Sequence, residues 1–364
     1  MPSSLWPGRR VFLTGHTGFK GGWLAVWLEQ RGATVFGYGL APEEHSFYNA
    51  ARLAGRYAET VADLRDLAAV QRAMAAADPH IVVHMAAQPL VRASFSDPVG
   101  TFATNVLGTV HLLEAARQCT NLLGIVAITT DKVYRNQERL GGYSEADPLG
   151  GHDPYSASKA GAEHACDAYR ASFFAGGRPL LATARAGNVI GGGDWSTDRL
   201  VPDLVRAFGA GTPARIRAPN SVRPWQHVLE PLAGYLTLAE RMLEGDRSVA
   251  DSWNFGPWPD TSYRVAEVAD LLVGAWGAAA RWEQDGRVHP AETKLLSVDP
   301  AKAHERLGWR PLLAIEESVR LTVDWYRAVG AGADALALTQ VQIARYEELM
   351  AAPATAGRRR RTGA

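Results

Sequence analysis

A glycine-rich turn set between a buried strand and a helix constrains this chain more than any other feature. Residues Arg10 to Thr14 form a short β-branched and aromatic run that stops at Gly15. The segment Gly15-His16-Thr17-Gly18-Phe19-Lys20-Gly21 then opens a helix in which Leu24, Trp27 and Leu28 recur at helical spacing. Gly32 closes that helix, and a second apolar run, Thr34 to Tyr38, follows. Strand, glycine turn, helix and strand make the opening unit of a parallel sheet, whose first turn can hold a phosphate on backbone N–H groups and the helix dipole. Glycine permits the sharp turn at 15, lets backbone approach a pyrophosphate at 18, and lets helix and strand pack closely at 21. Gly15, Thr17, Gly18, Phe19, Lys20 and Gly21 are therefore candidate cofactor-binding residues.

The alternation continues along the chain. Asp63 to Ala77 reads as helix after its first residues, and Ile81 to His84 as a third apolar strand. Val99, Phe102, Val106, Val110 and Leu113 step as one long amphipathic helix; the strand Gly124 to Thr129, the helix Tyr155 to Phe174 and the strand Leu180 to Arg185 follow. Such a series predicts an α/β fold: a Rossmann-like doubly wound parallel sheet with a smaller C-terminal substrate-binding lobe over its carboxyl edge. Loop-rich stretches around Gly191 to Asp194 and Thr212 to Pro224 mark that lobe. Residues 1–188 plus 223–250 are expected to form the dinucleotide-binding domain, and 189–222 plus 251–350 the lobe. A frayed tail is expected over 351–364, where Arg358 to Arg361 stand in a row.

Composition narrows the function. Basic and acidic residues both number 38, so no global field draws the chain to nucleic acid or to an anionic membrane. Two cysteines, Cys119 and Cys166, make neither a disulfide framework nor a zinc site, and no metal is expected. No apolar signal region and no membrane-length apolar stretch occurs, which places the expected compartment in the cytoplasm. Only five lysines occur, and three of them, Lys20, Lys132 and Lys159, fall inside motifs.

The chemistry concentrates at two of those motifs. In Asp153-Pro154-Tyr155-Ser156-Ala157-Ser158-Lys159, a tyrosine and a lysine stand four residues apart on one helical face. A phenol is a poor base at neutral pH, but a neighbouring ammonium and a nicotinamide cation both favour its phenolate. Tyr155 can then take a proton from an alcohol while hydride leaves the same carbon. At the end of the preceding strand, Thr130-Asp131-Lys132 sets a hydroxyl, a carboxylate and an amine where this architecture binds ligands. The second strand carries no acid for a ribose diol, so local sequence does not choose NAD over NADP. Asp63 stands where it can meet adenine or equally cap a helix.

Together these residues resemble the extended short-chain dehydrogenase/reductase family, most closely its CDP-glucose 4,6-dehydratase branch. The resemblance is carried by the glycine turn and by the runs His84 to Arg92, Asn105 to Gly108, Thr130 to Lys132 and Asp153 to Lys159. In the second lobe it continues through Ala184 to Trp195 and Val222 to Val228. It implies a bound NAD held also by Asp63, Leu64, Ala86, Ala87, Gln88, Asn105, Tyr155 and Lys159. It further implies a nucleotide-sugar substrate met by Gln88, Thr130, Arg185, Asn188, Arg199, Arg223 and His227. The implied reaction is C4 oxidation, loss of water across C5 and C6, and hydride return to C6. Tyr155 would serve as the C4 base, Asp131 as the acid and Lys132 as the C5 base. Lys132 must be neutral for that role, which requires burial or nearby cations. The helices Val99 to Ala116 and Tyr155 to Phe174 form a four-helix dimer interface in relatives, so a homodimer is expected. A 4-epimerase on the same scaffold, which needs the Tyr and Lys but no acid for water loss, a dehydratase acting on a different nucleotide-hexose, and a non-catalytic nucleotide sensor are the alternatives.

Overall fold

The computed structural model describes residues 5–287 and 293–352. Seven parallel strands form its centre: β1 (Arg10–Thr14), β2 (Thr34–Gly39), β3 (Ala58–Val61), β4 (Ile81–His84), β5 (Gly124–Ile128), β6 (Leu180–Ala186) and β7 (Ser252–Phe255). They lie in the order β7-β6-β5-β4-β1-β2-β3. The order reverses between β1 and β4, where Thr14 pairs with His84, so the crevice of this doubly wound sheet opens beyond those two residues.

Helices cover both faces. One face carries α2 (Leu67–Ala77), α3 (Gly108–Ala116) and α4 (Pro154–Ser172), and buries Val70, Met74, Leu112, Leu113 and Cys166 against β1, β4 and β5. On the other, α1 (Phe19–Gln30) and α6 (Leu229–Leu243) meet the sheet, α8 (Ala335–Ala351) packs on α1, and α5 (Leu200–Gly209) and α7 (Ile315–Gly330) pack with the lobe. Helix α1 is apolar around most of its circumference because sheet and α8 enclose it. Trp23 and Trp27 bury there completely and still satisfy their indole N–H groups, on Gly192 O at 2.9 Å and Glu347 Oε1 at 2.7 Å. Short strand pairs, Val189–Ile190 with Gln226–His227, Val222–Arg223 with Tyr263–Arg264, and Ala214–Ile216 with Trp282–Gln284, build the lobe over the carboxyl edge. Among the described residues no helix is long and apolar enough to cross a membrane.

Three details differ from the expected pattern. Strand β3 has no counterpart in the apolar reading, because all four of its residues are exposed at the sheet edge. The long helix from Val99 is interrupted by a π turn at Ala103–Leu107, and its apolar stripe splits: Leu112 and Leu113 face the core, whereas Val99 is 79% exposed and Leu107 54%. The N-cap of α2 is Asp66, whose carboxylate accepts the Ala69 N–H at 3.0 Å, so Asp63 is free of that structural role. Of the expected tail, Ala351 closes α8, and 353–364 lie outside the described residues.

One buried acid makes stability depend on pH. Glu230 on α6 accepts the Leu312 and Leu313 N–H groups at 2.9 and 2.6 Å and the Tyr346 hydroxyl at 2.6 Å, tying α6 to α8. Burial pushes its carboxyl up to about 7 despite those donors. A carboxyl raised on folding is stabilising while protonated; that stability is complete below the unfolded-state value and is lost as pH rises to about 7. Glu230→Gln retains an acceptor oxygen and never ionises. Its melting temperature relative to wild type should therefore climb by about 2 °C or more between pH 5 and pH 8. A difference independent of pH contradicts this.

Candidate active site

At the crevice, the β1–α1 turn has the form a dinucleotide diphosphate requires. Gly15 adopts φ +75°, a conformation that favours glycine, and its N–H donates to Tyr38 O at 2.7 Å. A Cβ on Gly21 would stand 2.0 Å from Gly15 O, so only glycine admits this closeness of helix and turn. Gly18, the N-cap of α1, is exposed, and no side chain caps the helix, which leaves the first-turn N–H groups for an anion. The turn thus fits the diphosphate. Thr17 fixes its outer side through a hydrogen bond to Leu40 O at 3.0 Å.

A polar chain that the motif reading did not resolve sets the neighbouring β4 loop. The Thr14 hydroxyl accepts the Met85 and Ala86 N–H groups, both at 3.0 Å, and donates to His84 Nδ1 at 2.8 Å. His84 Nε2 then donates to Thr109 Oγ1 at 3.1 Å. Burial, followed by the Lys159 charge, pushes the His84 imidazole down to about 3, so the ring is neutral and can serve as acceptor and donor at once.

The catalytic candidates converge at the ends of β5 and α4. Asp153 caps α4 by accepting Ser156 N–H at 2.9 Å, Pro154 takes the first helical position, and Ser94 Oγ receives the Tyr155 N–H at 3.1 Å. Tyr155 is buried, and its phenol lies close enough to Thr130 for that hydroxyl to influence it. Burial pushes that phenol up to about 12, with Thr130 acting against it. Lys159 donates to Ile128 O at 3.0 Å, and burial brings its ammonium down to about 8, opposed by the Glu163 carboxylate. Thr130 Oγ1 donates to Asp131 Oδ1 at 2.9 Å, whereas Asp131 Oδ2, buried, has no hydrogen-bond partner. Gly187 leaves that oxygen its space, because a Cβ there would stand 2.6 Å away. Lys132 Nζ lies 3.7 Å from Asp131 Oδ1, with 30% of its side chain exposed.

Other expected residues separate into two groups. Lys20 turns from the glycine turn into the catalytic end, with Nζ 5.8 Å above the Tyr235 ring; burial first, then Lys159 and Arg199, lowers its ammonium to about 7. Arg199 pairs with Asp194 at 2.8 Å and lies close enough to Tyr155 to influence its phenol. The Asn188 Oδ1 is buried without a partner, and Arg223 is nearly buried. Ala86 and Ala87 line the β4 loop, half-buried, and Phe19 packs beside Gly191. The Asp63 carboxylate is gripped by Arg65 at 2.6 Å, and Leu64 packs in the core against Gly108.

The second group is consumed inside the protein, which corrects the expected contacts. Arg185 does not reach the crevice: at 2% exposure its guanidinium forks onto Glu163 at 2.9 Å twice and donates to Tyr134 OH at 2.9 Å. His227 is fully buried edge-on to Trp23, and burial takes its imidazole down to about 3, so it is a core side chain. Asn105 is 2% exposed; its amide accepts Gln88 N–H and donates to Gln88 O and Ser158 Oγ, clamping the β4 loop to α4. The Gln88 side chain is spent locally on Thr101 and the Leu90 N–H. Among the described residues no group of three or more His, Cys, Asp or Glu side chains is arranged to hold a metal ion.

Comparison with known proteins places this geometry. The family model described as GDP-mannose 4,6 dehydratase matches residues 12–322. The CDP-glucose 4,6-dehydratase of Salmonella typhimurium is 45% identical over 352 residues, covering 94% of this chain and 97% of that protein. Among solved structures, the UDP-glucose 4-epimerase of Thermotoga maritima with UDP-glucose superposes at a TM-score of 0.75 and 20% identity, covering 87% of this chain and 98% of that one. A double mutant of the dTDP-glucose 4,6-dehydratase of Streptomyces venezuelae, with NAD bound, superposes at 0.73 and 23% identity over 90% and 99%. Both solved structures share the fold.

Proposed function

The chain belongs to the GDP-mannose 4,6 dehydratase family, and from that premise we propose that it converts CDP-glucose to CDP-4-keto-6-deoxyglucose with NAD. The observation that carries the reading is Asp131: a buried carboxylate with one unpartnered oxygen, next to Thr130 and the Tyr155 phenol. Epimerisation at C4 needs no acid there, and loss of water does. The 45% identical CDP-glucose 4,6-dehydratase supports the choice of substrate.

The glycine turn and the first-turn N–H groups of α1 would hold the diphosphate of NAD, with Lys159 at its nicotinamide end. When bound, NAD supplies the hydride acceptor at C4 and the donor at C6. Tyr155 takes the 4-hydroxyl proton, and Thr130, next to the phenol, orients that oxygen. The phenol stands at about 12 by burial, with Arg199 the protein cation that lowers it, so its action at neutral pH calls for further positive charge, from the coenzyme and from Lys159 one helical turn along. The resulting ketone acidifies the C5 proton; Lys132, which is 30% exposed and 3.7 Å from Asp131 Oδ1 rather than buried among cations, is the proposed acceptor as its free amine, and it returns a proton to C5 as hydride reaches C6. Asp131 acts in its carboxylic-acid form: the proton on the unpartnered Oδ2 passes to the 6-hydroxyl, which leaves as water, and the carboxylate remains. Asn188, Arg199 and Arg223 are the proposed substrate-lobe contacts, Arg199 and Arg223 with the fork geometry that suits a diphosphate.

The test is incubation of the protein with CDP-, UDP-, GDP- and dTDP-glucose. CDP-glucose should yield a 4-keto product absorbing in alkali, the others far less. Recovery of CDP-galactose, or preference for another nucleotide, contradicts the reading.

We further propose that the protein works as a homodimer. Pro98, Val99, Phe102, Ala103, Val106 and Leu107 form an apolar patch, with Val99 79% exposed, at the helices that the family resemblance assigns to an interface. Wild type should sediment as a dimer and Val99→Glu as a monomer. Monomeric wild type, or a dimer that survives the substitution, contradicts this.

A further inference from the structure

Helix α4 carries a third charged residue in register with the catalytic pair. Tyr155, Lys159 and Glu163 follow at intervals of four, one helical face, and Glu163 is wholly buried. Its carboxylate is saturated: Oε1 accepts Thr129 Oγ1 at 2.5 Å and Arg185 Nε at 2.9 Å, and Oε2 accepts Thr183 Oγ1 at 2.7 Å and Arg185 Nη2 at 2.9 Å. Thr129 directly precedes Thr130, so the same carboxylate also braces the strand end that presents Thr130 and Asp131. Arg185 continues through Tyr134 OH to Asn254 Oδ1 at 2.6 Å, and Asn254 Nδ2 donates to Tyr143 O and Asp299 O. One polar network thus runs from α4 to the far lobe.

We propose that Glu163 is a positioning residue of the reaction, fixed by Arg185, Thr129 and Thr183 so that its charge keeps Lys159 an ammonium beside the Tyr155 phenol. The proposal rests on the catalytic reading of Tyr155 and Lys159. Among the groups near Lys159, Glu163 is the larger of the two that favour its charged form, Cys166 the smaller. Lys20 from α1 is itself a potential cation, His84 from β4 is neutral, and burial and Glu163 keep the Cys166 thiol protonated on α4 itself. Burial drives the Lys159 ammonium down, and Glu163 is the largest influence in the opposite sense. Burial also works against the Glu163 carboxylate, but the Arg185 fork and the two threonine hydroxyls outweigh it and hold the carboxyl below its ordinary range. Arg185 therefore acts on the chemistry through Glu163, from inside the protein.

Two variants test this. Glu163→Gln alone leaves the Arg185 charge buried without its partner, so Glu163→Gln/Arg185→Met, which removes both charges, is made beside it. For each, kcat for CDP-glucose is followed from pH 6 to 10, with KM and bound coenzyme measured in parallel. The expected result is that the alkaline fall in kcat moves to lower pH by about one unit or more, because Lys159 loses its proton sooner; KM and bound coenzyme stay as in wild type. A rate lowered equally at every pH, with the fall unmoved, is what a purely structural role gives and overturns the proposal. Lys159→Met serves as the reference. Its full activity would overturn the catalytic reading and this proposal with it, whereas its inactivity together with an unmoved fall overturns this proposal alone.

Discussion

Tyr155→Phe is expected to lower kcat for CDP-glucose by about 10³-fold while bound NAD and the melting temperature stay close to wild type. The substitution removes one oxygen from a buried ring and leaves the N-cap at Asp153, the Ser94 contact and the Lys159 bond to Ile128 O in place. What is lost is the group that accepts the 4-hydroxyl proton, beside Thr130 at the end of β5. Steady-state assay and the coenzyme content of the purified variant check both halves. Activity within tenfold of wild type removes Tyr155 from the mechanism.

Asp131→Asn should stop the reaction at a later point. The amide preserves the acceptor for Thr130 but has no proton to give the departing 6-hydroxyl, so C4 oxidation continues and loss of water slows by about 10²-fold or more. The bound coenzyme is then left reduced, visible in its near-ultraviolet absorbance, beside a 4-ketone that still carries its 6-hydroxyl. Exchange of the C5 hydrogen with solvent should persist in this variant and fall in Lys132→Ala, which separates the acid from the base although the two side chains lie 3.7 Å apart. Equal loss of C4 oxidation in Asp131→Asn contradicts the assignment. So does C5 exchange in Lys132→Ala that falls no more than C4 oxidation; Lys132 would then be a binding residue.

The parts of this fold that follow a local rule were legible in the sequence. Strands β1, β2, β4, β5 and β6 are apolar runs bounded by turn residues, and the glycine turn announces itself by spacing. Strand β3 was not legible, because Ala58 to Val61 bury nothing and their pairing with β2 is decided by backbone alone. The π turn at Ala103–Leu107 shifts the helical phase by one residue without changing composition, so a periodic stripe was read as one face when it serves two.

The site divides in the same way. Thr130, Asp131, Tyr155 and Lys159 stand close in sequence or one helical turn apart, and the structure brings them together. Arg185 and His227 lie on strands whose neighbours are fixed only by tertiary packing, and nothing in their flanking residues distinguishes a side chain turned toward the crevice from one turned into the core. For Arg185 a signal did exist. Glu163 falls on the Tyr155 and Lys159 face of α4, and a buried acid on that face requires a buried partner. Lys132 was expected to be neutral through burial or nearby cations; it stands partly exposed beside Asp131, and Lys20 is the amine lowered by burial and by neighbouring cations, a placement set by how α1 meets Tyr235 and invisible in the turn itself.

The central claim, that one coenzyme oxidises C4 and then reduces C6 of the same sugar, is tested most directly by CDP-glucose carrying deuterium at C4 in ordinary water. The product should carry the deuterium at C6, read by mass spectrometry and proton resonance. Deuterium released to water, or retained at C4 of an inverted hexose, would contradict it.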